Sequence, residues 1–182
     1  MRLFSFVPVR QLSSGNTTNL LGRVAACKQW NELNTLLRTE RDTHGEPPSC
    51  DVYNSCLNHL IGIKDNIGLL RLYSQMKELN YPPAMKHVSS LLKACKQLKR
   101  VGVSLEIMAD VASSGESQPV DHSLLCLVLE TFAREGKTRE ALHFFHMNVK
   151  QPDTRSYNAL LNACRASQDW RLALLIFDEM LK

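Results

Sequence analysis

Apolar and polar residues follow the periodicity of an α-helix along most of the chain. Apolar residues recur three and four positions apart in paired stretches, as at Leu57 and Leu60 and then at Leu70 and Tyr73. Polar residues 64–66 separate these two stretches. This spacing puts the apolar side chains on one face of each helix. No segment shows the alternation of a strand, and the pattern predicts an all-α fold built from helix pairs.

The helix pairs repeat along the chain. Residues 52–76 and 156–180 align without a gap, with Tyr-Asn near the start of each segment and methionine at its end. Two weaker copies lie between them. The residues at the tyrosine position are separated by 35, 37 and 32 residues, and they are Tyr53, Val88, Leu125 and Tyr157.

This period predicts an α-solenoid, because a pair of short helices cannot bury its apolar face alone and neighbouring pairs must stack. Residues 13–49 are a degenerate copy of the unit, in which Trp30 aligns with Trp170. The remaining units span residues 50–84, 85–121 and 122–153, with a truncated unit at 154–182.

The markers of each unit resemble those of the pentatricopeptide repeat family. Tyr-Asn opens the first helix, Phe177-x-x-Met180 lies in the second, and Pro152-Asp153 closes a unit. The tetratricopeptide family has a similar period, but its Leu-Gly-x-x-Tyr sequence does not occur in this chain. The resemblance implies a right-handed α-solenoid that binds single-stranded RNA, with one base contacted by each repeat.

The resemblance also implies which residues contact the bases. In the family, the fifth and the last residue of a repeat read one base, and the second residue helps to sandwich it. Transferred to this chain, the base-reading pairs are Asn54 with Ala84, Ser89 with Asp121, Cys126 with Asp153, and Asn158 without a last-position partner in this sequence.

The chemistry of these pairs is uneven. An asparagine has a donor and an acceptor for a pyrimidine edge, and the resemblance implies that Ser89 and Asp121 pair with guanine. Ala84 cannot form a hydrogen bond through its side chain, and Cys126 forms only weak ones. The alternative interpretation for each asparagine is a helix N-cap or a solvated polar residue.

The charges are distributed unevenly along the chain. The net charge is +4, and residues 1–31 carry four basic side chains and no acidic one, whereas the rest of the chain is neutral. Global charge therefore gives no argument for nucleic acid. A local basic run extends from Lys86 to Arg100, and either phosphate binding or a solvated face explains it. The candidate RNA contacts of this kind are Lys86, Lys93 and Arg155.

Residues 1–12 resemble an organelle presequence, since they are basic, free of acids and followed by serines. The sequence Val-Arg-Gln-Leu-Ser-Ser resembles a mitochondrial processing site, with cleavage after Leu12. We therefore predict a mitochondrial protein, with the plastid as the alternative.

Several other classes of site lack support in the sequence. The six cysteines form no C-x-x-C pair, which predicts reduced and mostly buried thiols. No apolar run approaches the ~20 residues of a membrane span. His143 and His146 lack the third ligand of a zinc site. No deaminase signature, catalytic constellation or phosphate-binding loop is present, so we predict no cofactor and no enzymatic activity.

The sequence is consistent with two functions. The first is RNA binding in an organelle, in support of RNA processing, stability or translation, and the asparagines after Tyr53 and Tyr157 favour it. The second is a helical scaffold that binds proteins or ribosomes without reading bases, and the defective pairs favour it. Leu174 and Phe177 lie on the face that a following unit would cover, which predicts that another protein or further repeats pack there.

Overall fold

The computed structural model describes residues 20, 22–113, 122–149 and 152–181, and all regular secondary structure among them is helical. Residues 22–26 form a short helical segment. The longer helices are α1 (Trp30–His44), α2 (Cys50–Gly62), α3 (Asn66–Glu78), α4 (Met85–Leu98), α5 (Val101–Ser113), α6 (His122–Glu135), α7 (Thr138–Asn148), α8 (Thr154–Ser167) and α9 (Trp170–Met180).

The helices stack as hairpins along one direction. Each of α2, α4, α6 and α8 packs against the second helix of its own hairpin and against the first helix of its neighbours. The second helices α3, α5 and α7 also pack against the first helix of the next hairpin. This arrangement is an α-solenoid, and it confirms the all-α fold predicted from the helical period.

The turn within each hairpin uses one residue with left-handed backbone geometry. These residues have φ angles of 58°, 54°, 74° and 57°. Three of them carry a side chain, although only glycine adopts this conformation without a steric cost. The four residues are Lys64, Lys99, Gly136 and Gln168. They are separated by 35, 37 and 32 residues, which are the same intervals as those of the sequence repeat.

Aspartate caps the second helix in the first and last complete hairpins of this series. Asp65 accepts a hydrogen bond from the backbone N–H of Gly68 at 2.9 Å. Asp169 accepts one from the backbone N–H of Leu172 at 3.1 Å. Each carboxylate satisfies a helix-terminal donor that has no partner inside the helix.

The core runs along the stack instead of around a single centre. Leu57, Leu72, Leu91 and Leu129 are fully buried. Burial raises the thiol pKa of both Cys56 and Cys95 to about 12, which keeps these thiols protonated and unreactive. The prediction of mostly buried cysteines is confirmed, because five of the six are buried: Cys27, Cys56, Cys95, Cys126 and Cys164.

Polar contacts join successive hairpins. Lys96 of α4 forms an ion pair with Glu130 of α6 at 2.8 Å. The hydroxyl of Thr138 in α7 donates to Ser167 Oγ of α8 at 2.7 Å. His87 of α4 is bonded through Nε2 to Asn58 Oδ1 of α2 at 2.8 Å, and its Nδ1 is buried without a partner in the described part of the chain.

The predicted targeting segment, residues 1–12, lies outside the described residues. Among the helices that the structure describes, none is long and apolar enough to cross a membrane. The described residues also contain no group of three or more histidine, cysteine, aspartate or glutamate side chains that could hold a metal ion.

Candidate nucleic-acid interface

The candidate base-reading residues occupy equivalent positions on adjacent helices. Each is the fifth residue of its helix: Asn54 in α2, Ser89 in α4, Cys126 in α6 and Asn158 in α8. These helices pack side by side in that order. The four positions therefore form a row across the solenoid, with one position in each hairpin.

The exposure of this row varies from one hairpin to the next. Asn158 is exposed, and Asn54 and Ser89 are half-buried. Cys126 is buried, with only 1% of its surface exposed. The thiol of Cys126 therefore lies in the core, where it cannot reach a base on the surface of this structure.

The predicted pair of Asn54 and Ala84 is in direct contact. Ala84 is the N-cap of α4, and its backbone N–H donates to Asn54 Oδ1 at 3.2 Å. The other end of the amide, Asn54 Nδ2, donates to Cys50 Sγ at 3.5 Å. Because a thiol is a weak acceptor, the Nδ2 donor can be transferred to a stronger acceptor at little cost.

A cavity of about 260 Å³ adjoins this pair. Its walls include Asn54, Ala84, the two prolines of the linker before α4, and Asp110 of α5. Asp110 accepts a hydrogen bond from the hydroxyl of Tyr73. Asp110 was not predicted from the sequence, although its position one residue before the methionine position of the unit was a usable signal. The amide of Asn54 and the carboxylate of Asp110 therefore line the same cavity.

Asp153 combines its candidate role with a structural one. It is the N-cap of α8, and its Oδ1 accepts from the backbone N–H of Ser156 at 2.8 Å and from His122 Nε2 at 2.8 Å. The hydrogen bond from Ser156 and the contact with His122 lower the pKa of Asp153. Both contacts use one oxygen, so the second oxygen of this exposed carboxylate stays accessible.

The remaining predicted pair is Ser89 with Asp121. Ser89 lies in the first half of α4, with its side chain half-buried. Its predicted partner Asp121 lies outside the described residues. The predicted pairing of these two residues therefore stays a prediction.

The candidate phosphate contacts are exposed and uncompensated. Lys86 and Arg155 are the second residues of α4 and α8, and Lys93 lies two turns along α4. All three side chains are exposed. Among the described residues, no carboxylate lies within ion-pair distance of them. Lys96, in the same basic run, is instead paired with Glu130.

Comparison with known proteins assigns the repeat. The family model of the PPR repeat matches residues 155–182. A pentatricopeptide repeat-containing protein of Arabidopsis thaliana is 24% identical over 157 residues, which are 86% of this chain and 21% of the relative. A mitochondrial pentatricopeptide repeat-containing protein of the same plant is 32% identical over 107 residues, which are 57% of this chain and 16% of that relative.

The chain contains a pentatricopeptide repeat at residues 155–182 and is similar to pentatricopeptide repeat proteins over most of its length. It spans about a fifth of the length of the first of these relatives. Among solved structures, this pentatricopeptide repeat chain is similar to the pentatricopeptide repeat protein PPR10 in complex with an 18-nucleotide psaJ RNA element, with a TM-score of 0.56 and 14% identity. The similarity covers 88% of this chain and 24% of PPR10. It supports the solenoid fold.

Proposed function

We propose that this pentatricopeptide repeat chain binds single-stranded RNA along the row of its first helices. One observation carries the proposal: equivalent residues of α2, α4, α6 and α8 form a row, and uncompensated cations accompany it on α4 and α8. The fold similarity to a protein solved with RNA adds support. The proposed function is binding and includes no catalytic step.

The bases are contacted unequally in this proposal. Asn54 offers an N–H donor, because its carbonyl oxygen already accepts from Ala84. Asn158 is exposed and offers both its donor and its acceptor. Ser89 reads a base together with Asp121. The hairpin with Cys126 and Asp153 contributes only the carboxylate, since its thiol is buried.

The affinity expected from so few bases is modest. Stacking and readout contribute roughly 1–3 kcal/mol per base, and ordering of RNA and side chains offsets part of that gain. Lys86, Lys93 and Arg155 add a sequence-independent attraction to phosphates that weakens with salt.

The proposal is tested by recovering RNA from a random pool with the 182-residue chain and reading the enriched sequence. Asn54→Ala and Asn158→Ala should each relax the preference at one position. Asn148→Ala is the matched control, because Asn148 is an exposed asparagine on a second helix, α7. An unselected pool at low salt, or an equal effect of the control, would overturn the proposal.

The phosphate contacts are tested by the salt dependence of binding. Lys86→Gln, Lys93→Gln and Arg155→Gln should each lower the slope of log K against log salt by about 0.7 for a single strand. Lys137→Gln is the control, because Lys137 is already paired with Glu135 at 2.8 Å. Equal slopes for all four variants would contradict this assignment.

The second candidate function, a scaffold that binds a protein, has its own support. A groove of about 800 Å³ lies between α5 and α7 on the side of the second helices. Leu105, Phe132, Phe144 and Met147 give it an apolar lining. Loss of binding to protein partners after Phe144→Ser, with RNA selection unchanged, would favour the scaffold.

We place this function in the mitochondrion, with the plastid as the alternative. Several relatives are named as mitochondrial proteins, and residues 1–12 resemble a presequence. Deletion of residues 1–12 should leave the helical circular dichroism spectrum unchanged and abolish import into isolated mitochondria. Import of the deletion variant at the wild-type rate would count against this location.

A further inference from the structure

The cavity beside Asn54 and Ala84 contains a carboxylate that this pair does not itself provide. Ala84 has no side-chain group for hydrogen bonding, and Asn54 Oδ1 already accepts from the backbone N–H of Ala84 at 3.2 Å. The main group that the pair presents to a base is therefore a donor, Asn54 Nδ2. Asp110, in the last turn of α5, lines the same cavity of about 260 Å³.

A neighbouring helix holds Asp110 in place. The hydroxyl of Tyr73 in α3 donates a hydrogen bond to Asp110 Oδ2. Tyr73 is only 2% exposed, so close packing in the core fixes the position of its ring. The two oxygens of a carboxylate accept up to about four hydrogen bonds. Asp110 can therefore accept from Tyr73 and from a bound base at the same time.

The backbone that lines the cavity is rigid. Pro82 and Pro83 form part of the wall, and their rings fix the φ angles of the linker before α4. The hydrogen bond from Ala84 to Asn54 ties the end of this linker to α2. Groups that are held in place before binding lose little conformational entropy when a ligand binds. The amide donor and the carboxylate are thus preorganised for a ligand.

We propose that this cavity binds guanine and that Asp110 determines the choice of base. Guanine O6 accepts from Asn54 Nδ2, and the carboxylate of Asp110 accepts from the N1–H and the N2 amino group. These two donors are adjacent on the Watson–Crick edge, and a carboxylate can accept from both of them. The inference rests on the RNA binding proposed above, and it specifies the base at one position.

The other three bases match these groups less well. Cytosine and adenine offer the carboxylate one N–H donor on this edge, where guanine offers two. Uracil has a single N–H between two carbonyl oxygens, so one of these oxygens would face the carboxylate. Asn54 alone would suit a pyrimidine, as predicted from the sequence. The carboxylate of Asp110 shifts the expected preference from a pyrimidine to guanine.

Positive charge beside the cavity offsets the repulsion between Asp110 and the RNA phosphates. The N-terminus of α4 borders the cavity through Ala84 and Met85, and a helix N-terminus carries partial positive charge. Lys86 follows directly and is exposed. Among the described residues, no carboxylate lies within ion-pair distance of Lys86. Its ammonium group can therefore bind a phosphate next to the base.

The first test combines the unaltered 182-residue chain with modified RNA. RNA selected from the random pool should contain guanine at the position that Asn54→Ala relaxes. Inosine in place of this guanine lacks only the N2 amino group, and it should weaken binding about tenfold, because one hydrogen bond to a carboxylate is lost. Inosine in place of a guanine outside the enriched motif is the control and should leave the affinity unchanged.

The second test changes the carboxylate. Asp110→Asn keeps the size of the side chain and should abolish the preference for guanine at this position alone. Glu106→Gln is the matched control, because it removes the same charge one turn earlier on α5, where Glu106 pairs with Lys77 at 2.6 Å. Tyr73→Phe should weaken the preference, since it removes the hydroxyl that holds Asp110. Circular dichroism establishes that each variant keeps its helices, and the inosine measurement decides if one does not.

The outcomes separate this inference from the proposed function. Suppose that Asn158→Ala still relaxes one position of the selected RNA, while inosine and Asp110→Asn have no effect. The assignment of guanine to Asp110 is then wrong, and RNA binding stands. A pyrimidine at the position that depends on Asn54 also overturns the inference and assigns the reading to the amide alone. A pool that stays unselected overturns RNA binding, and this inference with it.

Discussion

Helices α3 and α9 occupy the same place in two copies of one repeat, yet they differ in burial. Tyr73 of α3 is 2% exposed, and the equivalent Phe177 of α9 is 47% exposed. Their backbones are alike, because each helix follows a left-handed residue and begins at an aspartate cap. The comparison shows that local structure is set within a unit and burial is set by the neighbouring unit.

The largest expected contrast is between Tyr73→Ala and Phe177→Ala. Removal of the buried ring at Tyr73 should cost about 3–5 kcal/mol of unfolding free energy, because it leaves a cavity. Removal of the half-exposed ring at Phe177 should cost less than about 1 kcal/mol. Urea unfolding of both variants measures the two losses. Equal losses would show that α9 is covered as fully as α3.

A glycine in α3 gives the next contrast. A Cβ added at Gly68 would lie 2.6 Å from Asp65 Oδ2 and 3.1 Å from the Cβ of Trp30 in α1. Gly68→Ala should therefore destabilise the chain by about 2 kcal/mol.

The matched control for Gly68 is Gly102 of α5, where an added Cβ meets no atom within 4 Å. Gly102→Ala should raise the unfolding free energy by about 0.5–1 kcal/mol, because alanine favours the helix. Thermal and urea unfolding of both variants measure the pair. A loss of stability at Gly102 would show that α5 is more closely covered than this structure indicates.

A smaller effect concerns His87, which is buried between α4 and α2. Burial lowers the pKa of His87, and the nearby Lys86 lowers it further. The folded state thus binds this proton less readily than the unfolded chain. Neutral His87 should therefore contribute fully to the free energy of unfolding above about pH 6.5, the pKa of a histidine in the unfolded chain. This contribution should decline as the pH falls below that value.

Unfolding free energies measured from pH 7.5 to 5 check this dependence. His87→Gln should remove the part of the slope that His87 causes, whereas His143→Gln, at an exposed position of α7, should retain it. Stability that rises as the pH falls over this range would contradict the burial of a neutral imidazole.

The smallest effect should be the same in the covered and the exposed unit. Lys64 and Gln168 precede α3 and α9 with φ angles of 58° and 57°. Replacement of either by glycine relieves the steric cost and should stabilise the chain by up to about 1 kcal/mol. Differential scanning calorimetry compares the two variants. A gain at only one of them would show that the turns are not equivalent.

The candidate site was only partly predictable. The register of the repeat placed Asn54, Ser89, Cys126 and Asn158 at one position of successive helices, and the structure has each as the fifth residue of its helix. Their exposure was not predictable, because it depends on side chains from adjacent hairpins. Cys126 is buried and Asn158 is exposed for this reason.

The hydrogen bonds of the site also depended on tertiary structure. Nothing in the sequence indicated that the backbone of Ala84 would donate to Asn54 Oδ1. The capping role of Asp153 was easier to predict from the sequence, because an aspartate before Thr-Arg-Ser is typical of a helix N-cap. The sequence could not show that His122, 31 residues earlier, would share its carboxylate.

The sequence by itself determined the helix pairs, their period and the positions of their turns. Helical hydrogen bonds and caps join residues within about four positions of each other, so a short segment contains the information they need. Only the tertiary structure decided which equivalent residues are covered, as at Tyr73, and which are exposed, as at Phe177. Burial requires side chains from a hairpin one full period away, and the local sequence pattern does not determine how that hairpin packs.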